Sequence, residues 1–332
     1  MVKLSREIWV TALILLALLL LPPVAYGLDQ PFYVEVWSRI MIYALAASSL
    51  NLILGYGGMV SFGHAAYFGI GGYVVGILSF HSTEFLPLIG GWEGTTSAFI
   101  SWPLAVIISG LIALVLGAIS LRTSGVYFIM ITLAFAQMVF YFFISLEAYG
   151  GDDGLMIARR NDFPPLDLAD FFYGHVYLYY VVLVALFGFL YLKSRLIGSR
   201  FGMVLQGAKQ NERRMASLGY PVYRYKLAAF VIAGAVCGFA GALWANHQTF
   251  ISPDSMAWTK SGELMVMVIL GGMGTLMGPV VGAAVLLTLE AVLASYTEHW
   301  AFFLGPILIL VVLFARNGIW GWVVGRGRED GR

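Results

Sequence analysis

Few residues in this chain are placed to do covalent chemistry. Ser61 and His64 stand three apart in the stretch GYGGMVSFGHAAYFGIGGYVVG, Gly55 to Gly76, a spacing that puts both on one face of a helix. A serine nucleophile would also need a base in contact and donors for an oxyanion. Nothing else in the chain builds that site. Asp152 and Asp153 would suit a metal or diphosphate, but no second acidic pair follows at helical spacing, so they read as a solvated turn. His81, His175, His247 and His299 are scattered without metal-ligand spacing. No G-x-x-x-x-G-K-[ST] phosphate cradle occurs, and a single cysteine, Cys237, excludes an internal disulfide. The residues point away from an enzyme.

One stretch organises the rest. Lys193 to Lys226 carries eight basic residues (Lys193, Arg195, Arg200, Lys209, Arg213, Arg214, Arg224 and Lys226) against one acid, Glu212. Apolar runs long enough to cross a bilayer flank it, and a cationic insert of this kind is retained on the cytoplasmic side. Within it Phe201, Leu205, Ala208 and Met215 recur at roughly helical spacing, which predicts a short amphipathic helix. Gly219 and Pro221 supply the stop signal. A basic loop by itself is solvated or touches lipid headgroups. A capped helix leading straight into a span suggests a surface on which a partner pushes.

The elements that carry this loop belong to an all-α, polytopic membrane protein. Of 332 residues, 60% are hydrophobic and 11% charged, with a mean hydropathy of +0.84; a soluble domain would need about a quarter charged. Met1 to Leu28 is a first helix behind Lys3 and Arg6, with a signal peptide as the competing reading. Further spans follow at Val36 to Leu54, in the Gly-rich stretch, and at Ala98 to Ile119, Val126 to Leu146, Val176 to Leu192 and Tyr225 to Ala245. In Tyr225 to Ala245 the small residues Ala229, Ala233, Cys237 and Gly241 recur every four positions and admit a close neighbour. Leu264 to Ser295 is too long for one crossing of ~20 residues and splits at Gly271 to Pro279; Ala301 to Ala315 is the last span.

Ten crossings with both termini cytoplasmic put 15 of 19 basic residues inside and 13 of 18 acids outside, as the positive-inside rule demands. Residues 147–175 form the longest outer loop. Glu290, the one acid well inside a span, is a functional or paired residue, or one that snorkels. The glycines of the third span fit either a tightly packed helix or a broken one lining a water-filled path. Asn51, Ser61, His64, Thr132 and Gln137 are the hydrogen-bonding groups expected along such a path; helix–helix hydrogen bonds are their alternative role. Spans nearly free of ionisable groups argue against coupling to protons or sodium.

Longer stretches then carry a resemblance: NLILGYGGMVSFGHAAYFGIGGY (Asn51 to Tyr73), LRTSGVYFIMITLAFAQM (Leu121 to Met138), GGDDGL (Gly150 to Leu155), the run from Gly198 through NERRMASLGYPVYRYKLAAFVIAGAVCGFAGAL, ISP (Ile251 to Pro253) and VILGGMGTLMGPVVGA (Val268 to Ala283). In order, over most of residues 36 to 290, these resemble the permease subunits of branched-chain amino acid ABC importers, with LivM-type features in LRTSGVYF and GGDDG. The resemblance implies one permease domain over 1–332 in the cell (inner) membrane and a second permease subunit of similar fold. It also implies two ATP-binding-cassette ATPases that hold the ATP and Mg, and an extracytoplasmic binding protein that delivers leucine, isoleucine or valine. This chain itself would hold no cofactor, and no nucleic acid is involved.

It further implies that the loop 193–226 contains the coupling helix, Gly202 to Leu218. Ala208, Lys209, Asn211, Glu212, Arg213, Arg214, Ala216, Leu218 and Gly219 would meet the ATPase there, without a literal E-A-A run. By position, the Gly151, Asp152 and Asp153 turn would meet the binding protein. Related permeases carry urea, short amides or aromatic acids. A secondary transporter or channel working without ATP is a further alternative.

Overall fold

Because lipid offers no partner for a bare amide, apolar runs of this length must fold as helices. The computed structural model describes residues 2–85, 93–163, 174–297 and 318–324, with single positions at 87, 299, 302, 304–306 and 309. Residues 2–163 supply α1 (Val2–Gly27), α2 (Phe32–Asn51), α3 (His64–Thr83), α4 (Ala98–Ser120) and α5 (Val126–Ile144). Beyond them come α6 (Gly174–Ile197), α7 (Arg200–Gln210), α8 (Glu212–Ser217), α9 (Val222–Gln248), α10 (Trp258–Gly271), α11 (Gly278–Tyr296) and α12 (Gly318–Val324). A two-residue ladder pairs β1 (Leu155–Met156) antiparallel with β2 (Phe250–Ile251). Among the described residues, seven helices are long and apolar enough to cross a membrane: those of α1, α2, α4, α5, α6, α9 and α11. Of the expected last span, Ala301 to Ala315, only positions 302, 304–306 and 309 are described, and the tail arginines 316, 326, 328 and 332 lie outside the described residues.

The core is a spine of small residues. On α9, Ala229, Ala233, Cys237 and Ala240 are fully buried, and α9 packs on α2, α3 and α4. A side chain at Gly71 of α3 would overlap the Gly238 carbonyl, and one at Gly241 of α9 would overlap that of Phe68. These two backbones approach each other as closely as glycine alone allows. The four-residue rhythm read in the sequence is this contact.

α1 contains Pro22 and Pro23, and each proline removes the hydrogen bond to the carbonyl four residues earlier. Those carbonyls belong to Leu18 and Leu19. The hydroxyls of Tyr179 and Tyr180 on α6 donate to them, at 2.6 and 3.3 Å. Two consecutive tyrosines thus repair two consecutive prolines in a neighbouring helix.

Several boundaries differ from the sequence reading. α2 ends in a π-helical turn, Leu52–Tyr56, and the chain then runs without helix through 57–63 before α3 begins. Lys193, read as the first loop residue, lies on α6, which continues to Ile197, and it is fully buried. The single amphipathic helix expected over Gly202 to Leu218 is two helices. Asn211 breaks it with an extended backbone (φ −156°, ψ 98°), and its side chain accepts a bond from the Arg214 amide, capping α8. α8 ends as expected at Gly219 (φ +86°), where the Gly219 amide bonds the Ala216 carbonyl and Tyr220 reaches back to Met215. The long apolar stretch after Glu263 folds as α10 and α11 around a turn at 272–277.

Candidate functional site

The non-helical segment 57–63 presents an accounting problem, since its amides lie among packed helices. Hydroxyls solve it. Phe62 N–H donates to Thr132 Oγ1 of α5 (3.3 Å), Gly63 N–H to Ser61 Oγ (3.2 Å) and Ala65 N–H to Ser261 Oγ of α10 (2.9 Å). The start of α3 lies beside the middle of α9, where the Cys237 thiol donates to the His64 carbonyl. The His64 ring is fully buried, its Nε2 2.8 Å from Ser49 Oγ. Ser49 Oγ also donates to the Ala46 carbonyl, so one serine joins α2's own backbone to the start of α3.

This arrangement separates the expected path residues. Ser61 precedes the helix rather than sharing a face with His64, and the two side chains have different partners, so no nucleophile–base contact forms. Ser61, Thr132 and His64 gather at the start of α3. Asn51 lies apart, buried, with Nδ2 donating to the Thr275 carbonyl (2.7 Å) and Oδ1 accepting from the Gly274 amide (3.0 Å). Gln137 is half-buried on α5, its amide unbonded among the described residues. Ser49 and Ser261, which complete the set, were not singled out in the sequence, where buried serines look like any small residue of a packed span.

At the basic end, α7 buries Gly202, Val204, Leu205 and Ala208. Lys209 Nζ turns inward to the Gly55 carbonyl, 2.7 Å away. Glu212 pairs with Lys226 at 2.6 Å, and Asn211 is spent on its cap. Four of the nine expected coupling residues are therefore engaged within the chain. Arg213, Arg214, Ala216, Leu218 and Gly219 form an exposed face. A cleft of about 530 Å³ lies between this region and the 121–125 turn, lined by Arg122, Ser124, Lys209 and Glu212 among others. Lys193 Nζ donates to the Leu276 carbonyl (3.1 Å).

The other end is held by Asn161. It exchanges bonds with the Asn246 side chain (2.8 and 2.7 Å), donates to the Thr96 carbonyl (2.8 Å), and accepts from Trp102 Nε1 (3.2 Å) and the Tyr177 hydroxyl (2.9 Å). Asp152 and Asp153 are exposed in the turn before β1, whereas Gly151 is buried. Glu290 is paired: its Oε1 lies 3.0 Å from Arg39 Nη2 of α2. No group of three or more metal-ligating side chains occurs among the described residues.

Seven helices apolar enough to cross a membrane, with an exposed basic face at one end, fit a multi-pass membrane protein. Residues 32–313 match the family described as the branched-chain amino acid transport system permease component, and the chain belongs to that family. It is a non-catalytic ABC permease subunit. It is 27% identical over 306 residues to the high-affinity branched-chain amino acid transport system permease protein LivM of Salmonella typhimurium, covering 86% of this chain and 69% of that one. A probable LivM of Methanocaldococcus jannaschii is 24% identical over 82% of this chain and 86% of its own. The L-arabinose ABC transporter permease protein AraH of Azospirillum brasilense is 29% identical over 40% of each chain. No solved structure matches.

Proposed function

We propose that this chain is one of two similar permease subunits of an importer for leucine, isoleucine or valine in the cell (inner) membrane. An extracytoplasmic binding protein delivers the solute, and two ATPases carrying ATP and Mg²⁺ drive its passage. On this proposal the ten crossings expected from the sequence leave both termini cytoplasmic. In this reading the 193–226 segment is the coupling loop, and ATP-driven closure of the ATPases moves α7 and α8 and rocks the bundle. The path runs beside Gln137. Asn51, Ser61, His64 and Thr132 shape its wall through the bonds described above.

The observation that carries this reading is the exposed cationic face from Arg213 to Gly219, on the short α8 that directly follows α7, whose own inner face is buried. A solvated loop needs no cap at Asn211, no closing turn at Gly219 and no buried α7 face. Charge reversal tests it. R213E/R214E is expected to reduce copurification of a nucleotide-binding ATPase by about tenfold or more, since like charges across an interface cost several kcal/mol. Undiminished copurification, or leucine uptake by this chain alone on an ion gradient, would sink the reading. The likeness to the arabinose permease favours a second reading, the same machine carrying another small solute; competition of labelled leucine uptake by arabinose separates the two.

A further inference from the structure

We infer that Lys209 is the positioning residue through which motion of the α7–α8 surface reaches the turns at Leu52–Tyr56 and 272–277, an inference that rests on the coupling role proposed above. The connections form a closed ring. From α7, the Lys209 ammonium holds the Gly55 carbonyl in the π-helical turn ending α2. One helical turn earlier, the two ends of the Asn51 amide hold Gly274 and Thr275 in the turn between α10 and α11. Leu276 of that same turn is held by Lys193. Lys193 is on α6, which leads within two residues back into α7.

Displacing α7 against α2 must therefore carry both turns along or break a bond in the ring. Gly58 is shaped for this link: with φ +68°, it leaves space that the Lys209 stem fills, and a Cβ there would lie 2.9 Å from Lys209 Cγ. The same contact borders the open cleft, whose wall includes Gly57, Gly58 and Lys209, so the tether lies at the rim of a space into which α7 can shift.

Met273, half-exposed in the 272–277 turn, reports the motion. The one native cysteine, Cys237, is buried, so M273C is the accessible thiol. In the assembled permease–ATPase complex, its maleimide labelling rate is expected to change about fivefold or more between the nucleotide-free and vanadate-trapped states, in the range of ordinary coupling between sites. K209M in that background should abolish the change while ATP hydrolysis and copurification persist, a split that a merely structural lysine would not produce. K209R keeps a donor within reach and should restore the response.

A full response in K209M overturns the pin and leaves the coupling role standing. An assembled K209R without a response overturns it equally, which covers the case in which K209M fails to fold. If the unmodified complex neither binds the ATPase nor responds to nucleotide, the parent reading falls and the pin falls with it.

Discussion

At one end of the bundle Asn161 gathers bonds from α4, α6 and α9, nearly all through buried atoms. At the other, Lys193 and Lys209 each reach a single carbonyl through a long, rotatable stem. The first end also carries the β1–β2 ladder and the Arg39–Glu290 pair. Many short bonds to one hub resist shear, because displacing any element breaks several at once. Single long tethers allow the elements to shift while staying attached. A bundle of similar helices thus ties one end through a many-bonded hub and the other through single long side chains.

Substitution at the hub should have the largest effect. N161A strips buried partners from Asn246, Trp102 and Thr96, each costing about 1–3 kcal/mol when left bare, and should lower the thermal unfolding temperature in detergent more than any other single change considered. Y179F, which removes the donor to the Leu18 carbonyl in α1, should cost about 1–3 kcal/mol and raise hydrogen exchange locally in α1. N51A opens the other end. A loss of about 1–2 kcal/mol is expected, with increased exchange confined to 272–277. Should N51A destabilise the whole bundle as N161A does, the contrast between the ends is wrong. D152N/D153N should leave stability within about 0.5 kcal/mol, as surface changes do, and weaken association with the binding protein if the turn meets it.

What was legible in the sequence follows a physical boundary. Hydropathy and spacing report how a segment partitions between water and lipid, so the seven long apolar helices, the 272–277 turn, the α9 rhythm and the Gly219 stop could be read directly. They do not report which protein group satisfies a polar atom. Lys193 therefore looked like the start of a basic loop, although a carbonyl 83 positions away holds it inside the bundle. Glu290 has its partner, Arg39, 251 positions away, where no local spacing points to it. Asn161 went unnoticed in an outer loop, where an asparagine ordinarily signals a turn. The split at Asn211 did leave a local trace: a capping residue stands before Glu212, but the continuing helical spacing outweighed it.

The hydroxyl caps at the start of α3 bear on how the chain is made. Thr132 and Ser261 lie 70 and 196 positions beyond the amides they satisfy, so a ribosome must finish α5 and then α10 before that segment is fully bonded. Until then its bare amides are costly in hydrocarbon and keep to water or to the insertion machinery. A nascent chain halted ahead of Trp258 is expected to leave the Ala65 amide open to hydrogen exchange, which the bond to Ser261 slows in the finished protein.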